Sequence, residues 1–198
     1  MSDNRPTALV TGASAGLGEE YCRQLAERCD TIIADLATVE GVTRTVEALR
    51  QQGPADILVN NAGFSTFGDF GRSVLEDELR VVRLQIDATL ELVRAAVPFM
   101  RERGGGEIIN VASVGAFLNM KQTAVYGGCK AFLVSFSRAL QAELASDNIR
   151  VQCLCPGLTR TEIHDTAYFE GFDKARMPAE LWMDAAPVVA ASLAALGQ

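Results

Sequence analysis

The sequence has little of what nucleic-acid-binding, membrane and exported proteins usually carry. Its 198 residues include 18 Lys and Arg against 25 Asp and Glu, a formal net charge of −7. That balance argues against nucleic acid or an anionic membrane as the main partner. No apolar run reaches the roughly 18 residues of a membrane span, and no basic leader with an apolar centre opens the chain. These absences predict a cytoplasmic protein.

Patterns typical of metal sites and disulfide frameworks are also missing. His164 is the only histidine, and no cysteine or carboxylate cluster lies beside it, so no metal site is expected. The five cysteines follow no zinc-binding spacing, and their odd number suits a disulfide framework poorly. We interpret all five as small buried hydrophobic residues: Cys22, Cys29, Cys129, Cys153 and Cys155.

What remains is the composition of an ordinary globular protein, with 48% hydrophobic and 22% charged residues. The length suits a single domain over residues 1–198. Apolar β-branched runs alternate with segments of helical periodicity, which predicts an α/β fold with a mostly parallel sheet and helices on both faces. Predicted strands are 7–12, 30–35, 56–63, 106–113 and 150–157. Predicted helices are 15–29, 38–52, 75–103, 123–146 and one after an irregular aromatic stretch that ends near 183.

A glycine-rich turn, TGASAGLG, connects the first predicted strand to the first predicted helix. Gly12, Gly16 and Gly18 form its G-x-x-x-G-x-G pattern. Such a turn brings backbone close to a pyrophosphate and directs the free N–H groups of the helix N-terminus at that anion. The position between a first strand and a first helix favours dinucleotide binding over a tight turn without a ligand.

Two further groups follow strands at the same predicted edge of the sheet. NNAG (60–63) follows the third strand, where Asn61 can tie neighbouring loops together and Gly63 can let backbone approach a ribose. Ser113 ends the fourth strand, 13 residues before Tyr126. Open α/β sheets bind ligands at the carboxyl ends of their strands, so these residues are candidates for one site.

The stretch YGGCK (126–130) places a tyrosine and a lysine on one face of a predicted helix. Tyr126 and Lys130 are four residues apart, about one helical turn. A nearby cation favours phenolate, so Lys130 could lower the pKa of Tyr126. The two glycines between them disfavour helix, which indicates that room is needed on that face. By itself the pair is also compatible with a solvated helix face.

Together these motifs resemble the short-chain dehydrogenase/reductase family, in order and in spacing. The resemblance rests on TGASAGLG, NNAG, Ser113 with the Tyr126–Lys130 pair, and PG (156–157) followed by Thr161. It implies a Rossmann-type fold, an NAD or NADP cofactor, and interconversion of a secondary alcohol and a carbonyl. By resemblance, Tyr126 is the general acid/base, Lys130 lowers its pKa and binds the nicotinamide ribose, and Ser113 holds the substrate oxygen.

The resemblance also implies a set of cofactor-binding positions along the chain. Beside Tyr126 and Lys130, the set is Gly12, Ser14, Gly16, Leu17, Gly18, Asp35, Leu36, Asn61, Ala62, Gly63, Pro156, Gly157 and Thr161. By motif alignment, Asp35 ends the family's third strand, where the Asp usually meets the adenine ring. With one unit absent, Asp35 stands 17 residues past Gly18 and can instead accept hydrogen bonds from the adenosine ribose while repelling a 2′-phosphate, so NAD is slightly favoured over NADP.

The chain departs from the family pattern in three places. Gln85 stands where the family usually has an asparagine that helps a proton relay, so it is included among the catalytic candidates. Only one strand-helix unit fits between the first helix and NNAG, where the family typically has two. The usual final strand is not found after SLAALGQ, which leaves five strands instead of about seven.

Substrate and partners follow from the same comparison. Apolar residues after Ser113 and after the PG turn occupy segments that wall the substrate pocket in this family, which favours a small apolar carbonyl or alcohol. The helices near 75–103 and 123–146 predict a homodimer or homotetramer. A catalytically impaired nucleotide-binding sensor or interaction module is the alternative function. The apolar candidates for the pocket are Phe117, Leu118, Met120, Tyr168, Phe169, Phe172, Met177 and Trp182.

Overall fold

The computed structural model describes residues 5–34, 36, 39–51, 55–118, 120–169 and 173–196. Its main strands are β1 Thr7–Thr11, β2 Asp30–Ala34, β3 Ile57–Asn60, β4 Gly106–Val111 and β5 Ile149–Leu154. Its α-helices are α1 Gly16–Leu25, α2 Val39–Gln51, α3 Leu75–Val82, α4 Ala88–Glu102, α5 Ala124–Leu144 and α6 Ala185–Leu196. Two short strands, β6 Leu158–Thr159 and β7 Trp182–Met183, pair in parallel.

The five main strands form one parallel sheet in the order β2-β1-β3-β4-β5. β2 lies directly beside β1, as a single short crossover through α1 requires. The register pairs Thr11 with Ala34, so β1 and β2 end level with each other. The fold class predicted from the alternating pattern is confirmed, and the carboxyl ends of the strands meet at one edge.

Two hydrophobic cores cover the two faces of this sheet. Successive strand residues point to opposite faces, so Leu9 and Leu58 enter one core while Val10 and Val59 enter the other. Each of the four is at most 1% exposed. The first core is completed by Leu49 of α2 together with Leu92 and Met100 of α4, and the second by Tyr21 and Leu25 of α1 and Val189 of α6.

The predicted helix over 75–103 is divided by a π-helical turn, Arg83–Asp87, between α3 and α4. A π-helical turn holds one extra residue, and such turns are frequent at functional sites. The sequence showed continuous helical periodicity here and did not predict the break. The irregular stretch before residue 183 contains β6, β7 and several short 3₁₀ turns.

Two expectations about the cysteines are corrected. α1 ends at Leu25, so Cys29 lies beyond the helix that was predicted over 15–29. Only Cys29 and Cys129 are buried, while Cys22, Cys153 and Cys155 are partly exposed. The Sγ atoms of Cys153 and Cys155 are 3.8 Å apart.

No helix in the described part of the chain combines the length and apolar character needed to cross a membrane.

Candidate active site

The glycine turn after β1 packs backbone against backbone. Gly12 and Gly16 have φ angles of +64° and +60°, which glycine adopts without strain. A Cβ atom at Gly12 would lie 2.8 Å from the Cα atom of Ala62, and one at Gly16 would lie 3.0 Å from the Thr161 side chain. The turn is therefore enclosed by the NNAG loop on one side and the segment after β6 on the other. This narrow backbone cradle fits a dinucleotide pyrophosphate.

Gly18 has a different position from the other two glycines. A Cβ atom there would lie 2.1 Å from the carbonyl oxygen of Gly12 and 2.5 Å from Nδ2 of Asn61. Gly18 thus lets the first turn of α1 approach the end of β1, which is the packing role of the third glycine in dinucleotide folds. It supports the cradle from behind and does not line the cavity.

Thr11 and Asn61 join the glycine turn to the NNAG loop. The Thr11 hydroxyl accepts hydrogen bonds from the backbone N–H groups of Asn61 and Ala62, at 3.0 and 2.9 Å. The Asn61 side-chain amide donates to the backbone oxygen of Thr11 at 3.0 Å and of Gly12 at 3.3 Å. The tying role predicted for Asn61 is seen in these bonds, which hold two cavity walls in one geometry.

Helix α5 carries Tyr126 and Lys130 on the face that meets the sheet edge. Lys130 is 6% exposed, and its Nζ atom donates a hydrogen bond to the backbone oxygen of Val111 at 2.8 Å. The same Nζ lies 5.5 Å from the centre of the Tyr126 ring. Burial lowers the pKa of Lys130 from 10.5 to about 8, since desolvation disfavours the ammonium form.

Tyr126 and Ser113 interact through their hydroxyl groups. Burial raises the pKa of Tyr126 above its ordinary value of 10.0, and the hydrogen bond with Ser113 partly offsets this. The net direction is opposite to the one expected from a neighbouring lysine, because desolvation outweighs the favourable interactions in this geometry. At neutral pH the phenol is therefore protonated. Ser113 Oγ also accepts from the backbone N–H of Gly115 at 3.0 Å, which holds its side chain in place.

The glycines of YGGCK leave space on α5. A Cβ atom at Gly128 would meet no described heavy atom within 4 Å, and one at Gly127 would meet only the backbone oxygen of Gly115, at 3.5 Å. The room that the sequence indicated is present beside Tyr126 and Lys130.

A cavity of about 670 Å³ lies at the carboxyl edge of the sheet. Most of the predicted site residues that the structure describes line it, and they follow β1, β3, β4 and β5. They are Gly12, Ser14, Gly16, Leu17, Asn61, Ala62, Gly63, Ser113, Tyr126, Lys130, Pro156, Gly157 and Thr161.

Besides Gly18, two of the predicted residues that the structure describes, Leu36 and Gln85, do not line the cavity. Leu36 is 6% exposed and belongs to the hydrophobic core with Leu9 and Leu58, so its side chain does not face the cavity. The reason is that the apolar side chain continues the packing of α2 and α4 against the sheet. Asp35 lies outside the described residues. Gln85, in the π-helical turn, is 1% exposed and lies behind the cavity wall.

The Gln85 side chain packs against the NNAG loop. Its Nε2 donates to the backbone oxygen of Phe64 at 2.6 Å, and a Cβ atom at Gly63 would lie 3.4 Å from the Gln85 side chain. Its Oε1 is buried without a hydrogen-bond partner among the described residues. An unpaired buried oxygen is costly unless water or another donor reaches it. A role in proton relay remains a prediction.

Some cavity residues were not predicted. Phe64, Ser65 and Phe67 follow NNAG and line the cavity, and the signal that could have found them was their position directly after a strand end. Of the predicted apolar candidates, Met120, Phe169 and Met177 line the cavity, whereas Phe117 and Leu118 are 59% and 52% exposed. Trp182 lines a shallower neighbouring depression, Tyr168 contacts Phe64 and Arg80, and Phe172 lies outside the described residues.

The parallel sheet, the glycine cradle and the serine, tyrosine and lysine at one cavity define a Rossmann-type α/β protein. The chain belongs to the short-chain dehydrogenase family, whose model, described as short chain dehydrogenase, matches residues 28–168, more than half of the chain. This confirms the family predicted from the motifs, which is a family of NAD(P)-dependent oxidoreductases.

Individual similar proteins are also named as reductases or dehydrogenases. Ketoacyl reductase HetN from Nostoc sp. is 30% identical over 179 residues, covering 76% of this chain and 62% of the reductase. A short-chain dehydrogenase from Sphingobium yanoikuyae in complex with NADPH superimposes with a TM-score of 0.87 at 29% identity, over 97% of this chain and 84% of that one. A 3-ketoacyl-(acyl-carrier-protein) reductase from Brucella melitensis complexed with NADH has a TM-score of 0.82 at 27% identity. The superposition covers 95% of this chain and 89% of that one. The chain thus spans less than two thirds of the HetN reductase.

The buried ammonium of Lys130 leads to a stability prediction. Its pKa is about 8 in the folded protein and 10.5 in the unfolded chain, so between these values the unfolded state binds more protons. The free energy of unfolding of the wild type should then rise with pH relative to Lys130→Met, by up to about 1.4 kcal/mol per pH unit in that window. Urea unfolding at several pH values measures this. Lys121→Met, at an exposed position, is the matched control. If the free energy of unfolding of the wild type rises with pH as much relative to Lys121→Met as relative to Lys130→Met, the effect does not come from Lys130.

Proposed function

We propose that this chain is an NAD(P)-dependent oxidoreductase that interconverts a secondary alcohol and a carbonyl compound, with Tyr126 as the general acid/base. The observation that carries the proposal is the convergence of Ser113, Tyr126 and Lys130 on a cavity whose far end is the glycine cradle. When bound, the nicotinamide cofactor supplies or accepts the hydride. The cradle and the NNAG loop would hold its pyrophosphate and ribose.

The protein's own contribution is to position the substrate and to move one proton. Ser113, whose side chain is held by the Gly115 N–H, is suited to bind the substrate oxygen beside the Tyr126 hydroxyl. Because the raised pKa keeps Tyr126 protonated at neutral pH, the phenol can donate its proton to the oxygen of a carbonyl substrate. The Lys130 ammonium, held by Val111, stabilises the phenolate that remains.

The cavity supports a small apolar carbonyl or alcohol as the substrate. Phe64, Phe67 and Phe169 contribute aromatic surface to it, and Met120 and Met177 contribute thioether side chains. Such surfaces bind apolar groups by excluding water from them. A nucleotide-binding sensor without turnover is not favoured, because the catalytic serine, tyrosine and lysine are all present and face the same cavity.

A screen of carbonyl compounds with NADH and NADPH tests the function directly. Loss of nicotinamide absorbance with an apolar ketone or aldehyde, and not without it, is the expected result. Tight binding of either cofactor with no turnover of any compound at any pH between 6 and 9 would favour the sensor instead.

For cofactor choice we propose NAD(H) over NADP(H), on account of Asp35. The residue before it, Ala34, pairs with Thr11 at the end of β1, next to the glycine turn. A carboxylate near the adenosine ribose repels a 2′-phosphate. Asp35→Ala should therefore bring the dissociation constants of NADH and NADPH closer together, measured by titration of both cofactors. Tighter NADPH binding by the wild type, or an unchanged preference in the variant, would remove Asp35 from the ribose site.

For assembly we propose a homodimer or homotetramer through the segment that contains α3 and α4. Leu75, Leu79 and Leu90 are 62%, 38% and 38% exposed there. Exposed apolar side chains that form one contiguous patch mark interaction sites.

A further inference from the structure

Arg80 connects three segments of the chain that are far apart in sequence. From helix α3, its Nη1 donates a hydrogen bond to the hydroxyl of Tyr168 at 2.9 Å. Its guanidinium carbon lies 5.6 Å from the centre of the Phe64 ring. The rings of Phe64 and Tyr168 are themselves 5.0 Å apart. A cation, an aromatic face and a hydroxyl thus converge, an arrangement in which each contact orients the others.

This cluster adjoins the aromatic part of the cavity wall, to which Phe64 itself belongs. The backbone N–H of Phe67 donates to the backbone oxygen of Tyr168 at 3.0 Å, and the rings of Phe67 and Phe169 stack with centres 6.1 Å apart. Phe64, Phe67 and Phe169 all line the cavity. This wall therefore includes two chain segments, 64–67 and 166–169, which are joined by the backbone hydrogen bond and by the stacked rings. We call each segment a layer of the wall.

Helix α3 anchors the first of these layers independently of Arg80. Thr66 Oγ1 donates to Oε2 of Glu78 at 2.8 Å, and the Glu78 side chain is 6% exposed. Glu78 and Arg80 are both residues of α3. The hydrogen bond from Thr66 to Glu78 therefore holds the layer 64–67 against the helix that carries Arg80. A side-chain link between the segment 166–169 and α3 is the hydrogen bond from Arg80 to the Tyr168 hydroxyl.

We propose that Arg80 is a positioning residue that clamps the segment 166–169 onto the segment 64–67, and so sets the shape of the aromatic wall that receives the apolar part of the substrate. This inference rests on the proposed function for its kinetic consequence but not for its structural one. Arg80 acts through Tyr168 and Phe64, and it takes no part in moving the proton or in holding the cofactor.

Hydrogen exchange in the absence of substrate tests the structural part. Arg80→Ala and Tyr168→Phe should both increase amide exchange in peptides that cover 64–68 and 166–169, while peptides of β1 and β4 stay unchanged. Arg83→Ala is the matched control, because Arg83 is a similarly exposed arginine in the π-helical turn, and its ion pair is with Glu76 of α3, at 2.6 Å, and not with a residue of the wall. Equal exchange in Arg80→Ala and Arg83→Ala would overturn the proposal, whatever the enzymatic activity proves to be.

Kinetics with an apolar ketone that the screen identifies, and with the cofactor in excess, tests the functional part. Because the contact is partly exposed, a rise in KM of about three- to fivefold is expected for Arg80→Ala, with kcat and the cofactor dissociation constant within about twofold of wild type. The double variant Arg80→Ala/Tyr168→Phe should be no worse than the poorer single variant, since both remove one contact. Additive losses, or a fall in kcat alone, would contradict a positioning role. Arg80→Lys, which keeps the charge, should recover part of the KM change.

Discussion

Tyr126→Phe is expected to lower the rate of carbonyl reduction by about 10²–10⁴-fold, the contribution usual for general acid/base catalysis. The substitution removes the transferable proton and the interaction with Ser113, yet it keeps the ring beside Lys130. The dissociation constant of the cofactor should stay within about twofold. Steady-state rates at saturating cofactor, together with a cofactor titration of the variant, measure both quantities.

Tyr21→Phe is the matched control for that experiment. Tyr21 is fully buried, and its hydroxyl donates to Ser192 at 2.6 Å, on the side of the sheet that α1 and α6 cover. Losing this bond should lower the free energy of unfolding by about 0.5–1.5 kcal/mol and leave the rate unchanged. If Tyr126→Phe keeps more than about a tenth of the wild-type rate, another group supplies the proton.

Gly18→Ala is expected to abolish cofactor binding at accessible concentrations. Its Cβ atom would lie 2.1 Å from the backbone oxygen of Gly12 and 2.5 Å from the Asn61 side chain, and neither can withdraw without opening the turn. Relief of the contact must move α1 away from β1 and widen the pyrophosphate cradle. Overpacking of this kind also costs about 1–3 kcal/mol of stability. Cofactor titration by fluorescence and thermal unfolding of the free protein separate the two effects.

Gly68→Ala serves as the control for a glycine that is not confined. A Cβ atom at Gly68 would have no heavy atom of the described residues within 4 Å. The hydrogen bond from the backbone N–H of residue 68 to the backbone oxygen of Gln122 can also form with alanine. Cofactor binding should be unaffected. A Gly18→Ala protein that binds cofactor as the wild type does would show that the cradle tolerates a wider turn, and that Gly18 has no essential role.

The strands and the sheet edge were predictable because their signals are local. Runs such as ALV (8–10) and ILVN (57–60) are buried on both sides, so they are apolar throughout and recognisable without any partner. Parallel connectivity then brings the strand ends together, and most of the motif residues that follow them line one cavity.

The errors came from properties that depend on surroundings. The direction of the Tyr126 pKa was expected from a neighbouring charge but follows from burial, and the core position of the Leu36 side chain was not expected either. Neither burial nor the packing of a side chain can be derived from residue spacing alone. The π-helical turn at Gln85 likewise leaves the helical periodicity of the sequence nearly unchanged.

The sequence by itself determined the family, the parallel α/β fold and the residues that gather at its active edge, because each of these depends on short-range patterns and on their order. Only the tertiary structure decided how those residues are supported. It placed Gly18 against the backbone of Gly12, desolvated Lys130, and brought Arg80 into contact with Tyr168, which is 88 positions away in the chain. Such contacts join residues with no shared local pattern, and their energies arise from exclusion of water and from close packing, which exist only once the chain has folded.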